Sequence, residues 1–148
     1  MNNYPSWWNT KITLFNKYAD PTSQLITWYK TEIEGCFWSN LQDKIKIGKT
    51  TLETDSTICR IRKDDRYRGA EEWLALPADL KAKYFTLSPH DIVIKDSTDD
   101  EINEYLAGSR STDILAKYKR LQRCIEVEQF ADNTGGGRGN EHYYVKGI

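Results

Sequence analysis

The feature that most constrains the fold is a series of short runs in which apolar and polar residues alternate. Side chains on a β-strand point alternately to the two faces of its sheet, so a half-buried strand shows this pattern. Lys44–Lys49 is the clearest case, because Ile45 and Ile47 share one face and the lysines take the other. The alternating runs are Thr10–Tyr18, Lys44–Lys49, Ser56–Lys63 and Cys124–Phe130. Further strands are predicted from apolar, aromatic or β-branched residues at Gln24–Thr31, Ile33–Ser39, Tyr84–Leu87, Ile92–Lys95 and His142–Lys146. They predict a mainly β, β-rich α+β fold.

Turn-forming residues between these runs predict how the strands connect. Ala19–Ser23 carries Asp-Pro followed by Thr-Ser and predicts a hairpin between the first two predicted strands. Ser88–Asp91 predicts a second strand-turn-strand unit, whose β-branched second strand, Ile92–Lys95, is expected to be central. Gly35 is expected to form a β-bulge. The final two predicted strands indicate a C-terminal hairpin over about residues 123–146.

A short helical insertion is predicted over about residues 98–121. Thr98 and Glu101 have capping-box spacing, and Gly108 supplies a left-handed stop, so a first helix is expected between them. A second helix is expected from Thr112 to Leu121, because Ile114, Leu115, Tyr118 and Leu121 form one apolar stripe. Asp113 is expected to pair with Lys117 four residues on.

Length and charge restrict the function classes. The 148 residues show no composition break, so a single domain over residues 1–148 is predicted. The formal net charge is −1, so the chain as a whole is not expected to attract DNA or anionic lipid electrostatically. No secretory signal and no apolar window of about 18 residues occurs, so we expect a cytosolic chain without a membrane partner. Cys36, Cys59 and Cys124 are expected to be buried free thiols.

The strongest concentration of basic residues lies in and after the run Ser56–Lys63. Arg60 and Arg62 share a strand face opposite Cys59 and Ile61, so they are expected to project toward solvent or a partner. Arg66 and Arg68 follow in the charged loop Asp64–Gly69. One interpretation is a solvated loop. The other is a set of arginines presented to a neighbouring subunit or to nucleic acid.

Two further segments are candidates for contacting a partner. Trp7 and Trp8 are adjacent, so at most one is expected to enter the core easily, while the other could anchor a partner or pack within the chain. The Gly-rich segment of the last hairpin includes Gly135, Gly136, Gly137, Arg138 and Gly139. A phosphate-binding loop is disfavoured, because no helix and no Lys-Ser/Thr pair follows. A hairpin tip, Asp132–Asn140, that orders on a partner is preferred, with Arg138 as its charged contact.

The sequence lacks a convincing catalytic or metal-binding constellation, so the chain is predicted not to be an enzyme and to use no cofactor or metal. His90 and His142 are far apart and belong to no nucleophile motif. Asp91 follows His90, but adjacent residues on an extended chain point to opposite faces. The acidic group Asp96, Asp99, Asp100, Glu101 and Glu104 has no calcium-loop spacing and is assigned to solvation and helix-dipole compensation.

Several stretches, in order along the chain, resemble small structural proteins from the head-to-tail connector of tailed siphophages and prophages of Gram-positive bacteria, especially clostridial ones. The stretches are Met1–Asn9 leading into Ile12–Tyr18, Cys36–Trp38, Thr57–Arg62, Phe85–Lys95 and the ending Asp132–Gly147. Their order is similar to that of the stopper, or head-completion, proteins. The chain departs from that family at Asp96, where the family has glycine after the strand Ile92–Lys95.

The resemblance implies a small β-barrel with the helical insertion and C-terminal hairpin, stacked in rings beneath the portal and adaptor. It implies six or twelve copies in the virion neck, assembled in the host bacterial cytoplasm. Its partners would be other copies of itself, the portal or adaptor protein on the head side and a tail terminator or tail completion protein on the tail side. Non-specific contact with DNA in the channel is a further expectation. A ring would multiply weak contacts made by each copy.

Two other functions remain open from the residues. One is another position in the same particle, a tail terminator or minor capsid protein. The other is an oligonucleotide-binding barrel, because exposed aromatics and local arginines also suit single-stranded nucleic acid. Salt-sensitive binding by the isolated monomer would favour that second function.

Overall fold

The computed structural model describes residues 4–47, 50–135 and 141–148, with the backbone alone at 41–47 and 50–55. The strands are β1 Thr10–Ala19, β2 Ile26–Ile47, β3 Thr50–Arg62, β4 Ile92–Lys95, β5 Cys124–Asn133 and β6 His142–Gly147. The helices are α1 Ala70–Leu74, α2 Ala78–Lys81 and α3 Ser111–Lys119.

The strands form a closed barrel in the order β1-β2-β3-β6-β5-β4, and β4 closes it by pairing with β1. Every pair is antiparallel. The predicted β-barrel, its first hairpin and its C-terminal hairpin are therefore confirmed. Closure pairs the strands of the barrel wall on both sides and leaves that wall no exposed edge.

The barrel encloses one apolar cluster, and a second lies where the segment that follows β4 covers the wall. The inner cluster is lined by Ile12, Leu14, Ile33, Cys36, Cys59, Ile61, Phe85, Leu87, Val93, Ile125, Val127, Tyr143 and Val145. The second joins Phe15, Ile92 and Ile94 to Ile102 and Ile114. Strand β4 is thus buried on both faces over Ile92, Val93 and Ile94, which explains why these three residues are all apolar and β-branched. The three cysteines are free and buried, as predicted.

Gly35 forms the predicted bulge in β2. Thr10 pairs with Cys36 but Ile12 pairs with Ile33, so β2 carries one more residue than β1 between these pairs. The φ angle of Gly35 is +72°, in the left-handed region that favours glycine. The bulge lies opposite the end of β3.

The strand predicted at Tyr84–Leu87 is wrong. This segment makes one isolated parallel bridge, Phe85 to Tyr67, and β4 pairs instead with β1 and β5. Its backbone is held by non-strand partners, because the Phe85 N–H donates to the Arg66 carbonyl and Arg68 N–H donates to the Phe85 carbonyl. Phe85 and Leu87 are both buried in the inner cluster, so the apolar residues of this segment indicate burial and not strand pairing.

The helix predicted to begin near Thr98 is also wrong, because residues 98–103 have no regular secondary structure and turns follow at residues 104–108. The Thr98 hydroxyl accepts from the Asp100 N–H and the Asn103 side chain accepts from the Tyr105 N–H. Such side-chain bonds to nearby backbone compete with a helix. Gly108 does adopt the expected left-handed conformation, with φ +86°.

The second helix is confirmed as α3, but its expected salt bridge is not. Lys117 pairs with Asp100 at 2.7 Å, while the Asp113 carboxylate accepts from the backbone N–H groups of Gly108 and Arg110. Ile114 is buried against the second cluster, whereas Leu121 lies beyond the helix and is exposed. The helix therefore packs through Ile114, Leu115 and Tyr118, which are three of the four residues of the predicted stripe.

Asp96 occupies a left-handed position, with φ +72°, directly after β4. The Asp96 N–H donates to the Lys11 carbonyl, the Thr13 hydroxyl donates to the Asp96 carbonyl at 2.9 Å, and its carboxylate pairs with Arg123. Aspartate tolerates this region better than most residues with a Cβ. Two of these contacts use the backbone, which a glycine would also have, and the pair with Arg123 is the one that needs the aspartate side chain.

Three of the predicted strands, Gln24–Thr31, Ile33–Ser39 and Lys44–Lys49, fall largely within one long strand, β2 Ile26–Ile47, that continues beyond the barrel wall. Strand β1 pairs with β2 only as far as Cys36, and β6 pairs with β3 only from Thr57 onward. Residues 41–47 and 50–56 pair with each other, from Leu41 opposite Ser56 to Ile47 opposite Thr50. We call these residues the β2–β3 arm.

Candidate functional site

A row of three side chains crosses the outer face of the barrel on strands β2, β3 and β6. In the register, Arg60 lies between Phe37 and Tyr144. Its guanidinium carbon is 5.2 Å from the centroid of the Phe37 ring and 5.7 Å from that of Tyr144. Within the described part of the chain these rings are its contacts, and it forms no ion pair. Its N–H donors can therefore meet an acidic group or a phosphate on a partner.

The amino-terminal segment, residues 4–9, forms a strap that lies on the same face. The centroid of the Trp8 ring lies 5.5 Å from the ring centroid of Tyr4, 6.1 Å from that of Phe37 and 5.6 Å from that of His142. The Tyr4 hydroxyl donates to the Glu141 carbonyl and accepts from the Lys63 N–H. Aromatic contacts and hydrogen bonds thus hold the strap to the barrel. We call Tyr4, Trp8, Phe37, Arg60, Arg62, His142 and Tyr144 together the aromatic face.

The two adjacent tryptophans have different environments. Trp8 is only 7% exposed, whereas Trp7 is 65% exposed. One tryptophan packs within the chain and the other is available to a partner, but Trp8 packs on the outside of the barrel and not in its interior. Among the described residues, Trp7 is the most exposed large hydrophobic side chain.

Arg62 lies on the outer face, as predicted, but its side chain binds the strap. Its Nη2 donates to the Trp8 carbonyl at 2.9 Å, and its guanidinium lies 5.0 Å from the Tyr4 ring centroid. Its Nε is buried without a hydrogen-bond partner. A Cβ on Gly35 would lie 2.8 Å from that Nε, so the bulge glycine makes room for the arginine.

The loop arginines are also bonded within the chain. Arg66 makes two bonds to Asp64, Nε to Oδ1 at 3.0 Å and Nη2 to Oδ2 at 2.8 Å. Burial by itself would raise the pKa of Asp64, but the bonds and charge of Arg66 lower it overall. Arg68 donates to the carbonyls of Asp65 and Tyr67, both at 2.7 Å. The loop 64–69 is therefore ordered by its own arginines, which leaves them less free for a partner than expected.

The Gly-rich tip is described only in part. Gly135 has open space around its Cα, since a Cβ there would meet nothing within 4 Å. Gly136, Gly137, Arg138 and Gly139 lie outside the described residues. The contact role predicted for the tip stays a prediction.

The candidate catalytic groups are separated or already bonded. The side chain of His90 is 74% exposed and lies 4.0 Å from Glu126, while Asp91 is 2% exposed and points inward. In the acidic segment after β4, Asp100 bonds to Lys117 and Tyr118, and Glu104 accepts from Trp28 Nε1 and the Ser111 N–H. No helix begins at residue 98, but Glu104 lies at the amino-terminal end of α3, where a carboxylate offsets the helix dipole as expected. Asp100 instead ties this segment to the last turn of α3.

Asp91 belongs to a buried polar network that the sequence did not predict. Its carboxylate accepts from the Asn16 side chain at 2.9 Å, from the Lys17 N–H at 3.0 Å and from the Ser88 N–H at 2.9 Å. Burial nevertheless raises its pKa to about 7, against the effect of those three donors. The network ties β1 to the turn before β4.

Lys81 is a second buried charge that the sequence did not predict. It is 4% exposed, its Nζ donates to the carbonyls of Leu74 and Leu76, and it lies 4.4 Å from the Tyr18 ring centroid. Burial lowers its pKa. Carbonyls at the end of α1 and an aromatic ring thus take the place of a carboxylate partner.

Residues 4–47, 50–135 and 141–148 contain neither a metal-binding cluster nor a membrane-spanning helix. No group of three or more His, Cys, Asp or Glu side chains there is arranged to hold a metal ion. No helix in these ranges is long and apolar enough to cross a membrane.

The β2–β3 arm was not predicted as a contact element. Alternation in Lys44–Lys49 and in Ser56–Lys63 identified strands but not their extension past the barrel. The threonine-rich residues 50–57 between them were the missed signal, because threonine favours strands.

Comparison with known proteins gives one match. No curated protein and no solved structure matches the chain significantly. The model of a family of unknown function, DUF6751, matches residues 7–148. That match spans the strap from Trp7 onward, the barrel, the β2–β3 arm and the C-terminal hairpin. The chain therefore belongs to the DUF6751 family.

Proposed function

We propose that the protein is a structural component of the head–tail connector of a tailed bacteriophage or prophage, acting as a stopper, or head-completion, ring. In this role it joins the portal and adaptor to the tail and retains packaged DNA. The observation that carries the proposal is a small closed barrel from which a two-stranded arm projects. The order of the sequence stretches that resemble stopper proteins supports the same role.

The geometry suits a structural protein that acts by binding neighbouring subunits. A closed barrel is rigid and exposes no edge in its wall, so contacts with neighbours fall to the surfaces outside it. Those surfaces are the β2–β3 arm, the exposed Trp7 and the row centred on Arg60. Repeating them around an axis multiplies contacts that are individually weak.

A non-enzymatic role is part of the proposal. The most perturbed carboxyl, Asp91, accepts three hydrogen bonds from its own chain and is buried away from His90. General acid-base catalysis requires a titratable group within reach of a substrate. Asp91 is instead used to fix the turn before β4.

The experiment is to interrupt the gene in a strain that produces the particle and to examine the lysate by electron microscopy. Loss of a connector ring should give DNA-filled or leaking heads and separate, complete tails. Complementation with the wild-type gene should restore joined particles, and symmetry averaging of their necks should show six or twelve copies. Normal particles without this protein would overturn the proposal. Headless or tailless lysates would indicate a minor capsid or tail terminator role instead.

One observation favours a second function, an oligonucleotide-binding barrel. Arg60 held between Phe37 and Tyr144 is also an arrangement that could stack a base and bind a phosphate. The test is binding of a fluorescent single-stranded oligonucleotide to the isolated chain at rising salt. Tight, salt-sensitive binding that Arg60→Ala abolishes and Arg68→Ala leaves unchanged would favour it. Absence of binding at physiological salt would favour the connector.

A further inference from the structure

The β2–β3 arm presents two strand edges that no other strand of the described residues pairs with. Among the described residues, nothing pairs with the outer edge of β2 over residues 41–47, or with the outer edge of β3 over residues 50–56. A strand rises about 3.4 Å per residue, so the arm extends roughly 20 Å. Each edge carries a row of backbone donors and acceptors that can pair with another strand.

A two-stranded ribbon of this kind is only marginally stable in water without a third strand or a packed face. The arm is nevertheless rich in strand-forming residues, including Ile45, Ile47, Thr50 and Thr51. In the register, Ile45 lies opposite Leu52, so apolar residues of the two strands fall on one face. These features are those of a strand pair that is completed by a neighbour.

The two edges carry opposite charge, which identifies the neighbour. The β2 segment 41–47 contains two basic residues, Lys44 and Lys46, and one acidic residue, Asp43, so its net charge is positive. The β3 segment 50–56 has Glu53 and Asp55 with no basic residue and is net negative. The β2 edge of one copy is therefore complementary to the β3 edge of another copy. Cross-strand pairs of opposite charge stabilise a sheet, and like charges destabilise it.

We infer that the arm joins copies of this chain by strand addition, with the β2 edge of one copy pairing with the β3 edge of the next. Because β2 and β3 are antiparallel within the arm, arms placed side by side in one orientation continue an antiparallel sheet. The contact uses two different surfaces, so it propagates from copy to copy and closes only as a ring. The inference deepens the proposed connector function and rests on it for its setting in a particle.

The register within the arm predicts how the charges would alternate between copies. Lys44 lies opposite Glu53 in one arm. The same register across the new joint would place Lys44 between the Glu53 of its own copy and that of the neighbour. A ladder of alternating sign would then run around the ring.

The test uses charge reversal in the purified full chain. One variant reverses the β2 edge, Lys44→Glu with Lys46→Glu, and another reverses the β3 edge, Glu53→Lys with Asp55→Lys. The wild type should self-associate reversibly, with a dissociation constant of about 1 mM or tighter in sedimentation velocity. Each half-reversed variant alone should associate at least about tenfold more weakly, because its two edges carry the same sign. Mixed together, the two variants should associate as the wild type does.

A fully reversed variant, with all four substitutions, controls for damage to the arm itself. It restores opposite charges at the pair 44 and 53 within one arm and at the edges between copies. It should self-associate like the wild type but fail to mix with it, as native mass spectrometry of isotope-labelled mixtures would show. Circular dichroism of every variant establishes that the barrel is folded.

Three results would overturn the inference. They are a wild type that stays monomeric up to about 1 mM, half-reversed variants that associate alone as the wild type does, and a fully reversed variant that mixes freely with it. Failure of the connector proposal is separate, because it would appear as a protein absent from particles whatever the purified variants do. Conversely, half-reversed variants that still form normal rings in particles would refute the arm joint and leave the connector role intact.

Discussion

At the scale of single residues, Gly35 couples the bulge in β2 to the strap. A residue with a Cβ in its left-handed conformation costs about 1–2 kcal/mol. The added Cβ would also lie 2.8 Å from Arg62 Nε and displace the guanidinium from the Trp8 carbonyl. Gly35→Ala should therefore lower the unfolding free energy by about 1–3 kcal/mol in urea titrations.

Gly69→Ala is the matched control for that change. Gly69 has φ −57°, and a Cβ there would meet nothing within 4 Å. Its stability should stay the same or rise by up to about 1 kcal/mol. Equal losses at both glycines would contradict the role assigned to the bulge.

Asp91 gives the fold a pH dependence. Its pKa is raised from an ordinary value near 3.8 to about 7, so the folded state binds a proton that the unfolded state releases. The stability that this proton contributes is present below pH 4 and is lost as pH rises from about 4 to 7. Each unit of pKa difference corresponds to about 1.4 kcal/mol, so the loss should reach a few kcal/mol.

Asp91→Asn removes this titration and provides the measurement. The difference in unfolding free energy between variant and wild type, followed from pH 4 to 8 by urea titration, should shift in favour of the variant as pH rises. An amide also replaces one acceptor oxygen by a donor, so the variant can be less stable at pH 4. A difference that does not change with pH would show that the carboxyl is ionised throughout.

At the scale of elements, the strap is held through Trp8 and not through Trp7. Trp8→Ala removes three ring contacts on the aromatic face and should lower the unfolding free energy by about 2–4 kcal/mol. Trp7→Ala should change it by less than about 0.5 kcal/mol. Denaturant titrations followed by circular dichroism avoid dependence on the fluorescence of the removed ring. Equal effects would mean that the strap does not pack as described.

The sequence predicted elements where the signal is local and failed where it is not. Alternation identified β1, β3 and β5, and the apolar stripe identified α3, because burial of one face leaves its period in the sequence. At Tyr84–Leu87 the apolar residues enter the barrel as a plug, and burial without pairing leaves the same pattern. At residues 98–108 hydrogen bonds from Thr98 and Asn103 to nearby N–H groups outweighed a weak helix signal.

The candidate site was predicted in part for the same reason. Strand alternation placed Arg60 and Arg62 on the outer face, since side-chain direction follows the strand. It could not tell which arginine is engaged within the chain and which is open to a partner. Arg62 donates to the carbonyl of Trp8, which is distant in sequence, whereas Arg60 lies between aromatic rings on the neighbouring strands. The arm was missed because pairing beyond the barrel depends on where β1 and β6 end, which the sequence of β2 does not encode.

At the scale of the whole molecule, the barrel and the β2–β3 arm should be separable. The barrel pairs of β1, β4, β5 and β6 involve no residue between 41 and 56. Replacing residues 42–55 by Asn-Gly would let Leu41 and Ser56 flank a two-residue hairpin turn. Because the inner cluster is untouched, the urea midpoint should stay within the error of the wild type, while self-association is lost. A shortened chain that unfolds at much lower urea would instead mean that the arm stabilises its own barrel, and that the long β2 strand serves folding and not assembly.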